Sequence, residues 1–176
     1  MKQLIYILFV CYNFFLIYSA TGQTAAADNK ISESITFNEP PKGPGIYGVF
    51  EGRTPCFEIG KQLGAELPRD CEHLKWQVIL FRDTATKRPT NYSLGTEMFD
   101  RNPLKGKWRI IRGTPTDREA IVYALDYGQQ DKSLYLLKGD DNVLFILNEN
   151  REFRTGNENY SFTLNRVKKV RRLSKP

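Results

Sequence analysis

Hydrophobic and polar residues alternate with a period of two in short segments between residues 45 and 167. In the clearest segment Trp76, Val78 and Leu80 fall on one face, with Gln77 on the other. Such alternation is typical of strands that bury one face. The pattern predicts eight strands: Ile46–Glu51, Leu74–Arg82, Thr90–Met98, Lys107–Arg112, Ala120–Asp126, Ser133–Lys138, Val143–Asn148 and Asn159–Arg166.

Turn residues separate these segments, for example Gly113-Thr-Pro115 and Tyr127-Gly128. Evenly spaced short strands with little helix predict an all-β fold, an antiparallel meander. Closing the meander into a small barrel removes its exposed edges. The interior of an eight-stranded barrel is filled by side chains or holds one small ligand.

One short helix is predicted between the first two strands. Thr54 suits its N-cap, Pro55 its first position and Gly64 its end. Its apolar residues follow at spacings of three and four and share one face: Cys56, Ile59 and Leu63. We expect that face to pack on one mouth of the barrel.

Residues 1–22 have the pattern of a secretory signal peptide. Lys2 precedes an apolar run from Leu4 to Tyr18, and small residues follow it. Cys11 does not fit a lipoprotein signal, because bulky Val10 precedes it and apolar sequence continues past it. We expect an exported protein, periplasmic or secreted, with no lipid anchor and no transmembrane helix in its mature chain.

The rest of the chain divides into three parts. Residues 23–44 contain few large apolar residues and are expected to form a flexible tether. Residues 45–167 form one domain, and residues 168–176 form a basic tail. The tail holds five of the positive charges behind the net charge of +6, so the domain is nearly neutral. We expect no nucleic-acid partner.

Removal of the leader leaves Cys56 and Cys71 as the only cysteines. In an oxidising compartment they are expected to form a structural disulfide. A disulfide that closes a loop of this length stabilises the folded protein by roughly 3 kcal/mol. A second interpretation is redox sensing by a Cys56 thiolate at the helix start. A third is a metal site formed by Cys56, Cys71 and His73, whose sulfur and imidazole ligands suit copper(I) or zinc.

Enzyme motifs are not found in the sequence. It has one histidine, His73, and contains no Gly-x-Ser-x-Gly element and no glycine-rich phosphate loop. These features indicate a protein that is not an enzyme, and we expect no cofactor apart from the copper of the third interpretation.

Aromatic residues recur on the predicted strands, and two interpretations of them stay open. In a barrel of this size they fill the core. If several line one open mouth, they bind an apolar small molecule. The candidate ligand-binding residues are Trp76, Tyr92, Trp108 and Tyr123.

The order of four elements resembles the N-terminal domain of the NlpE-type envelope lipoproteins, a copper-homeostasis and envelope-stress group. The elements are Gly48-Val-Phe-Glu-Gly-Arg-Thr-Pro-Cys56, Asp70-Cys71-Glu72, Lys105-Gly-Lys-Trp108 and Tyr160-Ser-Phe-Thr-Leu-Asn-Arg166. The resemblance covers residues 45–167 and implies a lipocalin-like β-barrel in the envelope. The family's cysteines form a close Cys-x-x-Cys, whereas residues 57–70 separate the two cysteines here.

Two functions follow from these features. The first is an exported binding protein for a small hydrophobic ligand or an envelope component. The alternative is an envelope metal (copper) or redox stress sensor that acts through a protein partner.

Overall fold

The computed structural model describes residues 32–34, 39–64, 67–96, 102–128 and 132–170. The chain divides into two compact units, Met1–Lys30 and Ile31–Pro176, and every described residue belongs to the second. The predicted signal peptide, most of the predicted tether and the end of the basic tail lie outside the described residues.

Nine strands and one helix make up the described part of the chain. They are β1 Ser32–Ser34, β2 Ile46–Pro55, α1 Phe57–Leu63, β3 His73–Arg82, β4 Pro89–Thr96, β5 Leu104–Arg112, β6 Ile121–Asp126, β7 Ser133–Lys138, β8 Val143–Ile146 and β9 Thr163–Val170. Each predicted strand overlaps one of β2 to β9. β1 falls within the segment expected to be a tether, and β9 extends three residues into the expected tail.

Strands β2 to β9 form a closed antiparallel barrel. Consecutive strands from β2 to β8 pair with one another, and β9 pairs with both β8 and β2. The predicted all-β barrel of eight strands is therefore confirmed. β1 adds to the outside of this arrangement as a parallel partner of β9.

The core is the inner face of the barrel, and alternation along the strands produces it. In β3 the buried positions are Leu74, Trp76, Val78 and Leu80, as predicted. Facing strands contribute further buried leucines and aromatics, including Leu94, Leu125, Leu136 and Leu164. Burial of this apolar area supplies the main driving force for folding.

The helix begins later than the sequence predicts. Thr54 and Pro55 belong to β2, and Cys56 is the N-cap residue without a side-chain capping bond. The predicted cap at Thr54 is wrong because the Thr54 hydroxyl is buried and accepts a hydrogen bond from Trp76 Nε1 at 2.8 Å. The predicted end is confirmed, since Gly64 has a left-handed φ of 67°.

The helix packs against the core, as predicted. Ile59 is fully buried, Cys56 is nearly so, and Leu63 contacts the core cluster. Cys56 and Cys71 form a disulfide that joins the start of α1 to the residues before β3. The predicted bond is confirmed. Within the described residues, the chain has no helix with the length and apolar character that a bilayer crossing requires.

Candidate functional site

The two tryptophans expected to bind a ligand lie in the barrel interior. Trp76 is 0% exposed and Trp108 is 3% exposed. Trp76 Nε1 donates to Thr54, and Trp108 Nε1 donates to the carbonyl oxygen of Phe81 at 2.6 Å. Each indole N–H therefore already donates to an acceptor within the protein, as buried indoles usually do.

The two candidate tyrosines are equally enclosed. The Tyr92 hydroxyl donates to the Asp126 carbonyl oxygen at 2.8 Å, and the Tyr123 and Tyr47 hydroxyl oxygens lie 2.5 Å apart. Gly106 leaves room for the hydrogen bond from Tyr92 to Asp126, because a Cβ at position 106 would lie 2.8 Å from the Tyr92 ring.

Burial changes the ionisation of both phenols. It raises the pKa of Tyr92 to about 12. Burial and the hydrogen bond with Tyr47 raise the pKa of Tyr123. Both therefore stay neutral donors over the physiological range. A ligand-binding role for the four aromatics stays a prediction, while their observed contacts are those of core residues.

An inward arginine closes the barrel end opposite the helix. The Arg166 guanidinium lies 4.6 Å from the Phe50 ring centroid, and its Nη1 donates to the Tyr47 carbonyl oxygen at 2.9 Å. Gly48 leaves the necessary space, since a Cβ there would lie 2.5 Å from Arg166 Nη1. Arg166 was not a predicted site residue, although it continues the alternation of Phe162 and Leu164 on the inner face.

The cysteines and His73 are neighbours in the structure, since Cys71 Sγ lies 3.9 Å from the His73 carbonyl oxygen. The disulfide uses both thiols, so Cys56 and Cys71 offer no thiolate to a metal in this oxidised state. The His73 ring packs 4.8 Å from the Tyr160 ring, and its buried Nδ1 makes no hydrogen bond with the described residues. Among those residues, no three histidine, cysteine or acidic side chains form a metal-binding group. Metal binding by the reduced protein stays a prediction.

A groove of about 980 Å³ lies on the outer surface of β3, β4 and β5. Because Trp76, Val78 and Leu80 point inward, the alternate residues Ile79 and Phe81 point outward into this groove. Both are half-buried. They give the groove an apolar side that the barrel core does not use.

Shorter side chains on the middle strand form the floor of the groove. Ser93 of β4 pairs with Ile79 of β3 on one side and with Lys105 of β5 on the other. Asn91 of β4 likewise pairs with Lys107. The longer side chains of β3 and β5 thus rise on either side of a low central strand. Pro41, Gly45 and Pro103 complete the lining.

The groove has a basic side and contains no acidic residue among its described lining. Its charged residues are Arg82, Lys105 and Lys107. Both lysines are exposed, and neither forms an ion pair with another described residue. By contrast, Arg109, the next outward residue on β5, pairs with Asp126. Among the described residues, no acidic side chain therefore neutralises the positive charge of the two lysines.

Two smaller clefts differ from this groove. One, of about 350 Å³, lies beside the helix, where Arg154 pairs with Glu58 at 3.1 Å. The other, of about 180 Å³, includes the Arg109–Asp126 pair. In both, the arginine already has an acidic partner, carboxylates belong to the lining, and large apolar side chains other than Tyr127 are missing from the described lining. The outer groove is consequently the strongest candidate site among the described residues.

No protein-family model, curated protein or solved structure matches the chain.

Proposed function

We propose that the chain is an exported, non-enzymatic binding protein that holds a small hydrophobic ligand on the outside of its barrel. The observation that carries this proposal is the groove of about 980 Å³ with Ile79 and Phe81 on one side. Ligand sites typically measure roughly 300–1,000 Å³ and combine apolar walls with a few polar groups. The groove matches both properties.

The composition of the groove supports binding rather than catalysis. Thr90 and Ser93 contribute the hydroxyl groups of its described lining, which contains no histidine or carboxylate. A hydroxyl nucleophile needs a neighbouring base to become reactive. The groove therefore suits a protein that holds a ligand without altering it.

The leader pattern and the Cys56–Cys71 disulfide support export, because structural disulfides persist in oxidising compartments. A relationship to the NlpE-type domains is part of the proposal and rests on the four sequence elements that resemble that family. The copper or redox sensor is the alternative. Its test is a thiol titration under mild reductant followed by a copper(I) titration of the fully reduced protein. A cysteine pair that stays oxidised in the first, together with no copper(I) uptake in the second, would remove this alternative.

A fluorescence titration with N-phenyl-1-naphthylamine, a neutral apolar probe, tests the binding proposal. The wild-type protein is expected to bind the probe, and an Ile79→Thr/Phe81→Thr variant is expected to bind it at least tenfold more weakly. Threonine keeps the strand preference at both positions while removing most apolar area. At about 25 cal/mol per Å² of apolar surface, the loss of two large side chains exceeds 1.4 kcal/mol.

Phe153→Thr is the matched control, because Phe153 is an outward aromatic residue that is 63% exposed and does not line the groove. It should bind the probe like wild type. The proposal fails if the wild-type protein binds no probe, or if all three proteins bind it equally.

A further inference from the structure

The outer face of β3 to β5 repeats one chemical order across the sheet. In one row, Ile79, Ser93 and Lys105 follow one another on directly paired positions of the three strands. In the next row, Asn91 pairs with Lys107 while Phe81 lines the groove from β3. The first row therefore runs from an apolar side chain through a short polar one to a lysine, and the second carries the same kinds of side chain without a direct pairing of Phe81 with Asn91. The apolar side chains lie on β3 and both lysines lie on β5, while Arg82 adds a third positive charge at the end of β3.

The spacing of the strands sets the size of a molecule that contacts both sides. Neighbouring strands lie about 4.8 Å apart, so β3 and β5 are separated by about 10 Å. A molecule that covers Ile79 and also reaches Lys105 must be apolar at one end and polar at the other. A compact hydrocarbon would cover the apolar side and leave both lysines unused.

The charge of the polar end follows from the lining. The three charged residues of the groove are all basic, and its described lining contains no carboxylate. An anion is attracted to such a site, whereas a cation is repelled. Lysine ammonium groups act as flexible point charges that accommodate more than one anion geometry.

We propose that the groove binds a free single-chain amphiphile with an anionic headgroup. Its apolar chain lies along Ile79 and Phe81, and its headgroup lies at Lys105 and Lys107. This inference rests on the proposed binding function and assigns the class of ligand. The recessed central strand favours one narrow chain over a flat bilayer surface.

Competition between decanoate and the bound neutral probe tests the inference, with decanol as the uncharged analogue of equal chain length. Wild-type protein is expected to bind decanoate more tightly than decanol, and added salt should reduce the difference. A Lys105→Gln/Lys107→Gln variant should bind decanoate about fivefold more weakly, because two exposed charge contacts are lost. Its affinity for decanol should be unchanged.

Lys132→Gln/Lys168→Gln is the control variant, since it removes the same charge from exposed positions outside the groove. It should bind decanoate like wild type. A parallel titration with decyl phosphate identifies the preferred headgroup, and the same dependence on Lys105 and Lys107 with either anion supports the inference.

Several results would overturn the inference of an anionic amphiphile, and each has a different consequence. Equal affinity for decanoate and decanol, unaffected by the groove lysines, would reject the anionic headgroup and leave the proposed binding function standing. Failure to bind either compound, together with failure to bind the neutral probe, would reject both. Lysine-dependent sedimentation with anionic phosphatidylglycerol vesicles, without binding of decanoate, would replace the free amphiphile with a membrane surface.

Discussion

The inner and outer faces of β3, β4 and β5 belong to the same three strands but differ in burial and in hydrogen bonding. On the inner face, Trp76, Tyr92 and Trp108 are buried, and each of their polar hydrogens has a protein acceptor. On the outer face, Ile79 and Phe81 remain half-buried, and the neighbouring Lys105 and Lys107 form no ion pair within the part of the chain that the structure describes. The comparison shows that the polar groups of the inner aromatic residues are fully engaged within the protein, while the outer face keeps apolar side chains that are only partly covered.

The two faces are connected at Phe81. Its side chain lines the outer groove, while its carbonyl oxygen accepts the hydrogen bond from Trp108 inside the barrel. A register shift lies between Leu80 and Arg82 at the same position. The inner tryptophan thus holds the backbone of a residue whose side chain lines the outer groove.

The largest expected difference between the faces is in stability. Trp76→Ala should lower the free energy of unfolding by about 3–5 kcal/mol, because it leaves a cavity and removes the donor to Thr54. Phe81→Ala should lower it by about 1 kcal/mol or less, since the outer residue is only partly buried. Urea unfolding of both variants measures this difference. Equal losses of unfolding free energy in the two variants would show that the inner and outer faces contribute equally to stability.

The disulfide supports the core at its helix-covered end and lies away from the groove. Replacing both cysteines, Cys56→Ser/Cys71→Ser, should lower stability by roughly 3 kcal/mol through the added freedom of the unfolded chain. Below its unfolding midpoint, the variant should still bind the neutral probe like wild type. Thermal unfolding followed by probe titration checks both parts. A variant that melts like wild type would show that the bond does not stabilise the barrel.

Tyr92 offers a smaller and pH-dependent test of the inner face. Tyr92→Phe should lower stability at neutral pH by about 1–2 kcal/mol, because the Asp126 carbonyl oxygen loses its donor. In the unfolded chain a tyrosine ionises near pH 10, whereas the folded protein raises the pKa of Tyr92 to about 12. The unfolded state therefore loses its proton first, and wild-type stability falls between these values.

Urea unfolding of wild type and Tyr92→Phe across this pH range measures the contribution of Tyr92. The wild-type curve should fall more steeply than that of the variant. The variant should retain part of the slope, because the pKa of Tyr123 is also raised by burial. Parallel curves for wild type and variant would show that Tyr92 has the same pKa in the folded and the unfolded state.

Much of the fold could be predicted because alternation along a strand is a local property. The residues Trp76, Val78 and Leu80 marked the inner face of β3, and Gly64 marked the helix end. The helix start could not be predicted, because the contact between Thr54 and Trp76 joins residues that are distant in sequence. Local capping patterns carry no information about such a contact.

The candidate site was harder to predict for the same reason. The row of Ile79, Ser93 and Lys105 exists only once the register of three strands is known. The sequence contained one signal of the groove. Ile79 and Phe81 are apolar at outward positions of β3, where a strand with one buried face is expected to carry polar residues. Identifying the interior aromatics as core required their hydrogen-bond partners, which lie on other strands.

Methyl NMR of isoleucine-labelled protein during a decanoate titration tests most directly whether the ligand binds outside the barrel. Ile79 lines the groove, whereas Ile59 and Ile146 are fully buried. Binding in the outer groove should produce a large, saturable shift of the Ile79 methyl signal and little change at Ile59 and Ile146. Saturable shifts at the two buried residues, with Ile79 unchanged, would contradict it.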